Sequence, residues 1–221
     1  MNRVFILGDS TAAPKEEAAR PETGWGECFS PFLDSSWVLE NRAVNGRSTK
    51  LALSNGDFFN ALASCCEGDA ALIQYGHNES KPDEERHTEP WTSFKDNLTY
   101  MANAFRKKGV DVYLLTPIAR RRFVDGELLD THGDYPKAVR EVASELGLPL
   151  VDMTQDTMEL LRREGVEKSK EYFMNFSGGI YPNYPDGDED NTHLRPLGAE
   201  TIATMIYNSL KEYSPSFLRK E

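Results

Sequence analysis

Ser10 closes the stretch Val4-Phe5-Ile6-Leu7-Gly8-Asp9-Ser10-Thr11, in which an apolar run passes directly into small polar residues. A hydroxyl just past the carboxyl end of a buried strand stands where open α/β sheets carry their reactive groups, so Ser10 is a candidate nucleophile. Gly8-Asp9-Ser10 is also an ordinary strand-ending turn. A serine needs a base within hydrogen-bond reach, and a histidine base needs a third group to fix its tautomer. The chain offers four histidines. His87 lies in a very polar loop, and His132 shares its segment with Arg120, Arg121 and Arg122. His77 follows a strand, but its carboxylate neighbour Glu79 is two residues on. His193 has Asp190 three residues before it, a spacing that lets a carboxylate reach the ring within one helical turn or tight loop. Asp190 to His193 also reads as a cap or turn ahead of the last helix.

Acyl transfer further requires hydrogen-bond donors aimed at a developing oxyanion. Ser10, Gly46 and Asn78 could supply two backbone N–H groups and a side-chain amide from the ends of three strands. A calcium site is the rival for the acidic end of this set, because Asp186, Asp188 and Asp190 alternate. The pattern fails at the sixth position, Asn191 in place of glycine, and at the twelfth, Leu197 in place of glutamate. No metal is expected.

The elements that must position these groups follow from patterning. The 221 residues suffice for one sizeable core, and a single domain over 1–221 is expected. Hydrophobic residues make up 39% and charged residues 28%, and no apolar run approaches a membrane span. Only four apolar residues follow the first charge, so no signal peptide is read and a cytoplasmic location is expected. A net charge of −11 argues against a nucleic-acid backbone or an anionic membrane as partner. Cys28, Cys65 and Cys66 are odd in number, with two adjacent, and read as buried or half-buried thiols.

Five apolar segments read as strands: Val4 to Leu7, Trp37 to Asn41, Ala70 to Tyr75, Val110 to Leu115 and Leu148 to Asp152. Helical periodicity separates several of them. Phe94, Leu98, Met101, Ala102 and Phe105 mark one helix, Tyr135 to Leu146 is a second and Met153 to Arg163 a third, while Cys28 to Leu33 suggests a shorter one. Pro14 to Pro21 and Ser177 to Asp190 read as loops, and Gly198 to Tyr213 as a closing helix. Repeated βα units imply an α/β fold with a parallel sheet in three layers.

In this order Gly8-Asp9-Ser10, Gly46, Gly76-His77-Asn78 and Asp190-x-x-His193 resemble the four blocks of the SGNH, or GDSL, hydrolases. Gly24-Trp25-Gly26-Glu27, Gln74-Tyr75-Gly76-His77-Asn78, Thr116-Pro117, Thr131-His132-Gly133-Asp134-Tyr135-Pro136 and Asp190-x-Thr192-His193 are similar to the rhamnogalacturonan acetylesterase branch. The resemblance implies a flavodoxin-like sandwich with strand order 2-1-3-4-5. It implies Ser10 as nucleophile, His193 as base and then acid, Asp190 as its orienter, and the Ser10 and Gly46 amides with the Asn78 side chain as oxyanion hole. Glu79 departs from the aspartate common in the family. The α/β-hydrolase elbow is absent, since Ala12 stands two residues after Ser10.

The function expected is a serine esterase that takes O-acetyl groups from pectin-derived saccharides, without metal or organic cofactor. Its partner is an acetylated oligosaccharide or polysaccharide. Arg120, Arg121, Arg122 and His132 are the candidate substrate-binding residues, because guanidinium pairs bidentately with galacturonate carboxylates. The alternative for the arginines is a solvated basic stretch. The alternatives for the chain are a broad-specificity SGNH esterase or lipase, and a carbohydrate-binding relative that has lost turnover.

Overall fold

Alternation along each central strand divides the core. In β1 (Asn2–Gly8), Val4 and Ile6 face one way and Phe5 and Leu7 the other, and all four are buried. The same alternation recurs in β3 (Ala70–Gln74) and β4 (Asp111–Leu115), as expected of strands covered on both faces. In this computed structural model, which describes residues 1–220, β2 (Trp37–Asn41) and β5 (Leu150–Val151) complete a parallel sheet of order β2-β1-β3-β4-β5. Glu221, the last residue of the expected 1–221 domain, lies outside the described residues.

One face packs on α2 (Asp57–Ser64), α3 (Lys95–Lys107) and α4 (Tyr135–Leu146), through Phe58, Leu98, Met101, Phe105, Val139 and Val142. The other packs on α5 (Met153–Lys168) and α6 (Pro196–Lys211), with Trp25 and Phe29 filling the space beside them. Burying each large apolar side chain of this kind contributes about 1.5–3 kcal/mol. The flavodoxin-like sandwich and the 2-1-3-4-5 order are both observed. Among the described residues no helix is long and apolar enough to cross a membrane.

Several local expectations are corrected. The helix expected around Cys28 to Leu33 is two single 3-10 turns, Trp25–Cys28 and Ser30–Phe32, because Pro31 and the bulky rings favour short turns over a continuous helix. Ser177 to Asp190 is not all loop. It contains the tip of an antiparallel hairpin between β6 (Phe173–Ser177) and β7 (Gly187–Leu194), whose polar composition hides it because neither strand belongs to the central sheet. A short helix α1 (Thr49–Ser54), capped by Ser48 Oγ on the Leu51 N–H at 3.2 Å, follows the Gly46 loop. Cys66 is exposed, whereas Cys65 is buried and Cys28 half-buried.

Candidate active site

The Asp9-Ser10-Thr11 turn leaves β1 wound around the Asp9 backbone carbonyl, which accepts the N–H groups of Ala12 and Ala13 at 3.1 and 3.0 Å. The Asp9 side chain is buried, and its Oδ1 accepts the N–H and the hydroxyl of Thr11, both at 2.9 Å. Ser10 is thereby held half-exposed at the sheet's carboxyl end. Its Oγ lies 2.9 Å from His193 Nε2. His193 Nδ1 lies 2.6 Å from Asp190 Oδ2, and Asp190 Oδ1 accepts the N–H groups of Thr192 and His193 at 2.6 and 3.0 Å. The Asp190–His193 spacing does its work on β7 rather than in a helical turn or cap.

These contacts set the electrostatics. Burial alone would raise the Asp190 carboxyl, but the His193 hydrogen bond and charge, with the two N–H donors, hold it down at about 2. Burial depresses His193, yet its bond to Asp190 and that carboxylate's charge leave its pKa above the usual histidine value. With Nδ1 facing a carboxylate, the ring is set to donate there and to accept at Nε2, the polarity that draws a proton from a serine hydroxyl. The side chains of His193 and Asp190 are 30% and 31% exposed, so a substrate can reach them.

Three further donors converge on the strand ends. Gly46 takes a left-handed φ of +73°, which a residue bearing a β-carbon adopts only under strain. Among the described residues no acceptor meets the N–H of Ser10 or of Gly46. Asn78 is 7% exposed, and one hydrogen of its amide is held by the Arg47 carbonyl at 2.9 Å, leaving the second to donate elsewhere.

The other candidates are placed differently from the expectation. His132 is buried, with its Nε2 3.2 Å from His77 Nδ1, and burial pushes its pKa down to about 3. Such a ring is neutral and packs edge-on against His77. Arg121 is also turned inward: its Nε donates to Ser169 Oγ at 2.9 Å, its Nη1 to Asn191 Oδ1 at 2.7 Å and its Nη2 to the Val166 carbonyl. That donor set is committed to the protein, so Arg121 holds structure in place of a uronate. Arg120 reaches the His77 carbonyl at 2.7 Å and Thr131, and Arg122 alone of the three is exposed.

Two residues that patterning did not single out join the site. Lys15, inside the charged stretch read as loop, has a side chain only 1% exposed, whose ammonium donates to the Ser10 carbonyl at 2.6 Å and Asn45 Oδ1 at 2.8 Å. It also pairs with Glu22 at 2.7 Å. Glu79 is wholly buried; its Oε1 accepts the Thr49 N–H at 2.8 Å and its Oε2 the Asn78 N–H at 3.1 Å. Burial raises its carboxyl to about 8. Nothing local marks Lys15, since its acceptors come from other segments, whereas the acidic residue after Asn78 was visible as a departure from the family pattern.

Comparison with known proteins places the chain in a family. Residues 6–200 match the model of the GDSL-like lipase/acylhydrolase family. The chain is 36% identical over 211 residues to the rhamnogalacturonan acetylesterase RhgT of Bacillus subtilis (strain 168), covering 95% of this chain and 90% of that protein. It is 31% identical to the probable rhamnogalacturonan acetylesterase YesY of the same organism, covering 96% and 93%. A crystal structure of another Bacillus subtilis protein superposes with a TM-score of 0.83 at 23% identity, over 99% of this chain and 58% of that one. With a family model that spans most of its length and relatives aligned nearly end to end, the chain belongs to the GDSL-like lipase/acylhydrolase family.

Proposed function

We propose that the protein is a serine carbohydrate esterase that removes O-acetyl groups from rhamnogalacturonan-type, pectin-derived saccharides. Ser10 Oγ attacks the acetyl carbonyl as His193 takes its proton. The oxyanion is received by the N–H groups of Ser10 and Gly46 and by the Asn78 amide. Collapse expels the sugar hydroxyl, which takes the proton from His193, and leaves an acetyl-enzyme. Water, deprotonated by His193, then attacks the ester; acetate leaves and Ser10 regains its proton. Asp190 orients the imidazole and stabilises its charged form throughout.

The observation that carries the reading is the continuous chain Ser10 Oγ to His193 Nε2 to Asp190 across 2.9 and 2.6 Å, on a half-exposed surface. The names of the two Bacillus relatives support the substrate class. Of the three arginines Arg122 alone is exposed, which supports it over Arg120 and Arg121 as a partner for a uronate carboxylate.

The test is acetate release from acetylated rhamnogalacturonan, acetylated xylan and short-chain aryl esters, by the native protein and by Ser10→Ala. The expected result is preference for the pectic substrate and a fall in kcat of about 10⁴ to 10⁶ in the variant with folding intact. Retained acetate release in Ser10→Ala would overturn the assignment of Ser10 as nucleophile. Equal rates on all acetyl esters would replace the pectic reading with a broad-specificity esterase.

A further inference from the structure

Each of the three proposed oxyanion donors sits on a different segment of chain, and the hole they form is only as well defined as the distances between those segments. Ser10 belongs to the turn after β1, Gly46 to the loop after β2 and Asn78 to the loop after β3. The middle segment is the weakest by construction. Asn45 is exposed, Gly46 has a left-handed backbone, and a β-carbon at Gly46 would meet nothing within 4 Å, so no neighbour packs against it. Backbone bonds hold the ends of the turn, the Val44 N–H on the Gly8 carbonyl at 3.1 Å and the Arg47 N–H on the Val44 carbonyl at 3.3 Å, but neither fixes where the Gly46 N–H points.

Side chains fix it instead, from both ends. On one side the Lys15 ammonium joins the Ser10 carbonyl at 2.6 Å to Asn45 Oδ1 at 2.8 Å, with its third contact on Glu22 Oε1 at 2.7 Å. Three N–H donors and three acceptors satisfy the buried charge, which tolerates little displacement of any of them. On the other side the two oxygens of the Glu79 carboxyl span the Thr49 N–H at 2.8 Å and the Asn78 N–H at 3.1 Å, while the Asn78 amide donates to the Arg47 carbonyl at 2.9 Å. The segment from Asn45 to Thr49 is thus tied to the nucleophile turn through Lys15, and to the Asn78 loop through Glu79 and Asn78 itself.

We propose that Lys15 and Glu79 are positioning residues of the esterase reaction, a buried cation and a buried carboxyl that together set the spacing of the Ser10, Gly46 and Asn78 donors. Neither touches the reacting atoms; each acts through the loop it holds. The inference rests on the hydrolase reading above and deepens it. Because donors must stand about 2.7–3.1 Å from the oxyanion in the transition state, a loosened loop loses turnover before it loses substrate binding.

The test cuts each tie twice, once at the buried group and once from the loop. Lys15→Met and Glu79→Gln remove the buried groups. Asn45→Ala removes Lys15's exposed acceptor. Thr49→Pro removes the N–H that Glu79 accepts, at the first helical position, where proline is tolerated and the extended backbone of Ser48 suits a following proline. It also removes the buried hydroxyl that accepts the Asn97 amide at 3.2 Å, so Thr49→Val, which loses the hydroxyl alone, is its control. For the variants that unfold cooperatively, kcat on an acetyl ester is expected to fall about 10- to 100-fold at the buried positions and about 3- to 10-fold at the loop positions, with KM within about twofold. In an Asn78→Ala background, Glu79→Gln should cost less than about threefold, because the donor it positions is already gone.

Unchanged kcat in both loop variants overturns the proposal, even if the buried variants fail to fold. So does a Glu79→Gln loss that multiplies in full onto Asn78→Ala, or a loss confined to KM. Labelling of Ser10 in the native protein by an active-site phosphonate separates the two levels. A native protein that labels while the ties prove indifferent refutes the positioning role alone, and one that neither labels nor turns over refutes the hydrolase reading beneath it.

Discussion

Arg121 grips Asn191 twice, through its backbone N–H on the Asn191 carbonyl at 2.8 Å and its Nη1 on the Asn191 side-chain oxygen at 2.7 Å. Asn191 stands between Asp190 and His193 on β7, and its Oδ1 also accepts the Asn175 amide from β6 at 3.0 Å. The arginine therefore backs the strand that carries the acid–base pair. Replacing Arg121 by methionine takes one donor each from the Val166 carbonyl, Asn191 Oδ1 and Ser169 Oγ. That leaves Asn191 Oδ1 with the Asn175 amide and the Val166 carbonyl with the Ser169 hydroxyl at 3.4 Å, at a cost of about 1–3 kcal/mol. Urea unfolding is expected to show that loss, and steady-state kinetics a lower kcat at unchanged KM. A stability loss with kcat intact would limit the arginine to holding the fold.

His193 and Asp190 give the pH dependence its sign. A base must be neutral to accept a proton, and the His193 pKa is raised, so kcat/KM is expected to climb with pH through a value above 6.5 and then level. Asp190→Asn removes the main cause of that elevation. Its acid limb should move to lower pH while kcat drops by about 10⁴. Profiles of kcat/KM against pH for both proteins decide this, and a limb that stays in place rejects it.

The same pair has a signature in stability. His193's contribution is full below the ordinary histidine value and fades as pH rises through the elevated one, whereas that of Asp190 persists above the ordinary carboxylate value and is lost as pH falls through about 2. Thermal midpoints of the native protein and Asp190→Asn should differ most at weakly acidic pH and converge toward strongly acidic pH. Parallel curves across the whole range would contradict this.

Asn78→Ala is expected to lower kcat by about 10² to 10³, the usual effect of removing one oxyanion donor. Its amide also holds the Arg47 carbonyl, so part of the loss passes through the Gly46 loop. A variant with near-native turnover on an acetyl ester would take Asn78 out of the hole.

Trp25 shows how the Gly24-Trp25-Gly26-Glu27 block serves the scaffold. Its indole N–H donates to Gln74 Oε1 at 2.8 Å, and Gln74 Nε2 to the Thr116 carbonyl at 3.0 Å, all within the core. Trp25→Phe deprives a buried amide oxygen of its partner and is expected to cost about 1–3 kcal/mol in urea unfolding, beyond any cavity effect. A change below half a kilocalorie, which would place the bond at the low end of its ordinary net worth, would show that the core relaxes to satisfy Gln74 another way.

The sheet was readable because its strands are short apolar runs closed by glycine or polar residues, and their alternation survives into the two faces of the core. Asp190 and His193 were readable as a pair because their contact is local. Lys15 was not, because its burial depends on acceptors at Ser10, Glu22 and Asn45 that only the fold brings together. The arginines misled for a related reason: charge in a loop reads as surface, yet Arg121 finds its partners on α5 and β7 and in the turn after α5. Gly8 was read as a turn former. It has no positive φ, and its small size matters because a β-carbon there would stand 2.9 Å from the Gln74 carbonyl oxygen.

Ser10 and His193 are separated by 183 residues of chain. During synthesis every strand of the central sheet is therefore made before the imidazole exists. The hairpin that carries His193 precedes α6, whose Ile202, Ile206 and Leu210 complete one face of the core, so a truncation that takes away the imidazole strips that face of the sheet as well.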